Sequence, residues 1–160
     1  MPGFELIGKE EIDEINHLFN ESSILFRHSF DHLRNGIFKV NDFENAFSKR
    51  MNIPHSLGVT SGTAALRVAL AALELEQDDE VITQALTFVA TANSISYLGA
   101  EPIFIDVDKN TMGLSPKSLR IFLEKNTRIK NKQCVNNKTN KVIKACVPMH
   151  SYGFPCKIDE

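Results

Sequence analysis

Apolar positions recur with two different periods along the chain. In residues 8–19 they fall at Ile12, Ile15, Leu18 and Phe19, the spacing of one face of a helix. Val40, Phe43, Phe47 and Met51 repeat that spacing and predict a second amphipathic helix over 40–51, with Asn41 or Asp42 as its cap. Residues 25–31 between them have no clean period and read as a loop. There Arg27, His28 and Asp31 either face solvent or contact a polar ligand. Residues 1–55 therefore read as a helical lead-in.

From Ser56 onward short apolar runs alternate with helical stretches. A strand is expected at 57–59, a helix at 63–75, a strand at 81–83, and a loop and helix over 86–98 with Gly99 as its stop. A strand at 102–107 follows, then a helix opened by Ser115 and Pro116 and running to about residue 125, then a strand within 141–149. Strands alternating with helices predict an α/β fold, a mostly parallel sheet with flanking helices, over residues 56–160. Residues 125–144 are rich in Lys, Arg and Asn, and read as a solvated loop. The final residues, Lys157 to Glu160, look like the opening of another helix. A domain rarely stops where an element begins, so 56–160 is expected to be an incomplete domain of a longer protein.

Composition narrows the function classes. The chain has 160 residues and a formal net charge of −2, so nothing global points to nucleic acid or an anionic membrane. The basic stretch at 125–144 carries no interleaved aromatic residue for base stacking. No run of about 18 apolar residues occurs, and no membrane span is expected. The N-terminus has no basic-then-apolar signal pattern. Three widely spaced cysteines, Cys134, Cys146 and Cys156, form neither a disulfide framework nor a zinc motif, so no metal is expected and a reducing cytoplasm is the natural compartment.

The candidate chemistry lies where the first predicted strand turns through Ser61-Gly62-Thr63 into an Ala- and Leu-rich helix. The first backbone N–H groups of a helix lack internal partners, and the helix dipole favours an anion beside them. Gly62 permits close approach, and Ser61 and Thr63 add hydroxyl donors. Plain N-capping produces the same residues, so this step alone leaves both readings open. The segment after strand 81–83 adds Phe88, which is either a core residue or a flat shelf for a ring. Both turns lie at the carboxyl ends of strands, where open α/β sheets hold ligands. The pairing favours a phosphate seat with a ring shelf.

SGTAALRVALAAL, DDEVITQALTFVATANSISYLGAEPIFIDVD and VPMHSYGFP, in this order, resemble the N-terminal part of the DegT-type (DegT/DnrJ/StrS) sugar aminotransferases. The opening MPGFELIGKEEIDEI with LFRHSFDHLRNG is similar to a branch that includes 8-amino octulosonate aminotransferases. The resemblance implies the fold type I (aspartate aminotransferase-like) large domain, and pyridoxal 5'-phosphate (PLP) as cofactor. It also implies a keto-sugar substrate, often nucleotide-linked, and an amino donor such as glutamate. The setting would be amino-sugar or surface polysaccharide synthesis by a cytoplasmic homodimer. Ser61, Gly62 and Thr63 match the family's phosphate cup, and Phe88 its ring-stacking aromatic. His150 matches a histidine near the cofactor, with a structural role equally open. The Schiff-base lysine and the aspartate that pairs with the pyridine nitrogen are expected beyond Glu160, so no catalytic residue is assigned within the chain. Three alternatives remain: a PLP-dependent sugar dehydratase of the same family, a non-catalytic phosphate-binding module, and a remnant without independent function.

Overall fold

A computed structural model describes residues 4–160; residues 1–3, the first of the expected lead-in, lie outside the described residues. The chain divides into two compact units, Met1–Gly58 and Val59–Glu160.

The first unit is helical. Helix α1 spans Lys9–Glu21 and α2 spans Lys39–Met51. The α1 start is closed by Glu11, whose Oε2 accepts the Gly8 N–H at 2.7 Å. Helix α2 starts earlier than expected, after Phe38, so Asn41 and Asp42 lie inside it and neither caps it. The apolar faces that gave both helices away, including Ile12, Ile15, Phe43 and Met51, are exposed. Arg27 is not a free ligand-binding side chain. Its guanidinium pairs with Glu44 at 2.6 Å and donates to the Gly58 carbonyl at 3.0 Å.

That same contact removes the expected strand at 57–59. The Gly58 N–H donates to Glu44 Oε1 at 2.6 Å, so both of its backbone groups bond to side chains instead of a neighbouring strand. Residues 56–59 belong to no sheet.

In the second unit α3 spans Gly62–Ala71, β1 Glu80–Gln84, α4 Ala90–Ser96, β2 Glu101–Ile105, α5 Pro116–Asn126 and β5 Ile143–Val147; between α5 and β5 lie β3, Thr127–Lys130, and β4, Gln133–Asn136. The main sheet has the order β2-β1-β5, parallel throughout. Strand β1 is central and every one of its residues is buried, which is why it reads as an unbroken apolar-centred run. Each face of the sheet has its own core. Val81 packs with Leu70, Ile95 and Ala100, contributed by α3, α4 and the turn after α4. Ile82 packs with Ile105 and Leu114, and α5 adds Leu119, Phe122 and Leu123. The result is a helix–sheet–helix sandwich.

Two local expectations are corrected. Helix α3 ends at Ala71, not 75, because the chain turns through 72–74 with Glu74 in the left-handed region, φ 54°. The stretch 125–144 is not a solvated loop. Strands β3 and β4 form an antiparallel hairpin closed by Asn131 and Lys132, both at positive φ, as a tight two-residue turn requires. Glu80, 2% exposed, ties the hairpin to the sheet by accepting from Asn136 Nδ2 at 2.9 Å and Thr139 Oγ1 at 2.8 Å. The last residues make a single turn, with the Glu160 N–H donating to the Lys157 carbonyl.

Candidate functional site

The site is built at the carboxyl edge of the sheet. Ser61, extended at φ −164°, ends the incoming segment, and its Oγ accepts the Ala64 N–H at 3.1 Å. Ser61 thus caps α3 through its hydroxyl oxygen and keeps its hydroxyl proton to donate. The Gly62 and Thr63 N–H groups precede the first intrahelical bond, Ala65 to Ser61, and have no hydrogen-bond partner among the described residues. A Cβ placed on Gly62 would meet nothing within 4 Å, so the helix start is open.

Gly62 and Thr63 line a cleft of about 600 Å³ together with Phe88, Thr91, Met149 and His150. The sequence candidates Gly62, Thr63, Phe88 and His150 thus share one cavity, with Ser61 at its edge as a cap. Phe88 is 71% exposed and is no core residue. An adjoining space of about 300 Å³, lined by Leu86, Thr87, Phe88, Met149, Ser151 and Tyr152, continues past the same ring. Tyr152 stands exposed in the left-handed region, φ 54°.

A residue passed over in the sequence holds these walls in place. Gln84, the last residue of β1, is fully buried. Its Nε2 lies 3.2 Å from the Leu86 carbonyl, 3.2 Å from the Met149 carbonyl and 2.9 Å from Ser151 Oγ, and its Oε1 accepts the Met149 N–H at 2.9 Å. One amide thus joins the 85–89 loop to the 148–151 loop. The available signal was a polar, hydrogen-bond-rich side chain at the carboxyl end of a buried strand.

The model of the DegT/DnrJ/EryC1/StrS aminotransferase family matches residues 28–160. The chain belongs to that family. It is 38% identical over 154 residues to the spore coat polysaccharide biosynthesis protein SpsC of Bacillus subtilis, covering 96% of this chain and 33% of that protein. It is 36% identical over 121 residues to GDP-perosamine synthase of Escherichia coli O157:H7, covering 76% of this chain and 29% of the synthase. The solved structure of NtdA from Bacillus subtilis, which holds the cofactor PMP, matches with a TM-score of 0.69 over 99% of this chain and 31% of that one. At 22% identity that likeness is one of fold. The fold is that of the PLP-dependent aminotransferases. The chain spans about a third of the length of the curated relatives it matches.

The residues fit the family's cofactor. Two unpaired amides at an open helix start suit a phosphate, and an exposed aromatic ring beside them suits a flat heterocycle. Among the described residues that line the cleft there is no lysine and no carboxylate. No described group of three His, Cys, Asp or Glu is placed to hold a metal ion, and no described helix is long and apolar enough to cross a membrane.

Proposed function

We propose that this chain forms the cofactor-holding part of a PLP-dependent aminotransferase that passes an amino group, with glutamate as donor, to a keto-sugar, nucleotide-linked in the manner that GDP-perosamine synthase suggests by name. The carrying observation is the cleft itself, where the free N–H groups of Gly62 and Thr63 and the exposed ring of Phe88 open onto one space. The backbone of Gly62 and Thr63 binds the phosphate, and the α3 dipole adds to the attraction. Phe88 orients the ring by stacking. Bound there, the pyridine ring supplies the electron sink for amino exchange. Leu66 and Val147 give the cleft an apolar wall that excludes water. The sugar belongs in the adjoining space between Phe88 and Tyr152. The setting is the cytoplasm, and the acting form is a homodimer.

Within this reading the chain binds but does not turn over, because the cleft offers no amine to hold the cofactor covalently and no acid for its ring nitrogen. The purified chain, mixed with PLP, glutamate and a keto-sugar nucleotide, is expected to form amino-sugar no faster than free PLP. Turnover above that background, with a borohydride-fixed adduct at one specific lysine, would contradict it.

A further inference from the structure

His150 is the sole titratable side chain among the described residues lining the cleft, and one of its ring nitrogens is already committed. The Cys156 backbone N–H donates to His150 Nδ1 at 3.0 Å, and Cys156 Sγ lies 3.3 Å from the same atom. A backbone amide can only donate, so Nδ1 must keep its lone pair facing it. In the neutral ring the proton then sits on Nε2.

The amide is not free to drift. Cys156 is 6% exposed and presses on Gly113, where an added Cβ would come within 2.6 Å of the Cys156 Cβ. Gly113 is therefore a glycine because Cys156 approaches so closely. The next residue, Lys157, is anchored by its Nζ to Asp108 at 3.1 Å, and Asp108 Oδ1 in turn accepts the Asn110 and Thr111 N–H groups. Asp108 is held below the usual carboxylate range, chiefly by the Asn110 N–H and then by Lys157. The Cys156 amide thus sits in a braced seat beside the imidazole.

We propose that His150 is a fixed Nε2–H donor that reads an acceptor oxygen on the ring ligand of the cleft, and that Cys156 is the positioning residue that sets this tautomer. The identity of the ligand rests on the cofactor reading above; the tautomer does not. The assignment gives His150 a definite role. It orients and polarises, and in its neutral form it is not a base toward the cleft, because the nitrogen left over already carries a proton.

Long-range 1H–15N correlation spectra of the full chain, recorded at pH where the imidazole is neutral, are expected to show His150 with its proton on Nε2. Gly113→Ala, which displaces Cys156, should convert that signature to a mixture of tautomers. A dominant Nδ1–H form in the unsubstituted chain would overturn the proposal. Binding of PLP then tests the donor. The amide nitrogen of glutamine reaches where Nε2 lies, and that of asparagine only where Nδ1 lies. His150→Gln should therefore keep PLP affinity within about twofold, while His150→Asn loses roughly tenfold. Equal losses, or retention by asparagine alone, would contradict the donor role. If the unsubstituted chain takes up no PLP, the cofactor reading fails, and the tautomer spectrum still decides between a donor and an acceptor at His150.

Discussion

Phe88 leaves most of its ring in solvent, so the folded chain gains little stability from it. Replacement by alanine separates binding from folding at this position. Phe88→Ala is expected to leave the urea midpoint unchanged and to weaken PLP binding by about 1 kcal/mol, roughly fivefold, on the precedent of aromatic pairs. A fluorescence titration checks the affinity, and a fall in midpoint with unchanged affinity would return Phe88 to a structural role. Gln84 is the opposite case, since its side chain is completely enclosed and bonds to both loops that wall the cleft. Gln84→Leu keeps the volume but strands the Met149 N–H without its acceptor. A loss of about 3 kcal/mol is expected from several bonds of about 1 kcal/mol and a buried orphan donor, read from the same urea curves. Of these two residues only Phe88 was legible in the sequence. An exposed-looking aromatic just past the carboxyl end of a predicted strand can be singled out from sequence, whereas the glutamine shows its importance through its buried bonds, two of them to partners more than 60 positions away.

At the level of elements, hydrophobic period carried most of the fold. The alternation after Ser56 anticipated β1, β2, β5 and their helices, because β1 is a short run buried on both faces and the helices bury an apolar face against the sheet. The β3–β4 hairpin escaped because Arg128, Lys130 and Gln133 break its apolar pattern and its apolar Ile129 is exposed, and because its turn is Asn-Lys with no glycine. The segment at 57–59 misled for the converse reason. It has strand-like composition, but Glu44 and Arg27 take the backbone groups of Gly58. That last arrangement has a pH signature. The Glu44 carboxyl is held below the usual carboxylate range, chiefly by the Gly58 N–H bond and further by Arg27, with burial opposing. A lowered folded-state value means that the link contributes fully above the ordinary glutamate pKa of about 4.3 and is lost as pH falls through the lowered one. The Gly58 amide resonance is expected to stay constant near neutrality and to move only with a midpoint below that ordinary value. In Glu44→Gln it should not titrate at all. A midpoint at or above the ordinary value would show that the Glu44–Gly58 bond does not form.

On the scale of the whole molecule, the second unit presents a parallel sheet whose carboxyl edge, together with the start of α3, opens onto the cleft. The proposed cofactor seat follows from that topology. Loops leave the carboxyl ends of β1 and β5 on the same side, and α3 points its amino end between them. Of the residues singled out in the sequence, Gly62, Thr63, Phe88 and His150 meet there, while Ser61 turns its hydroxyl to the helix cap. The central claim is that the Gly62 and Thr63 amides receive the phosphate of PLP, and one titration tests it directly. Amide spectra of the labelled chain are followed as PLP is added, with pyridoxal, which lacks the phosphate, as the comparison. The Gly62 and Thr63 resonances are expected to shift saturably with PLP and to stay in place with pyridoxal. Saturable PLP binding that leaves both amides unmoved would contradict the account.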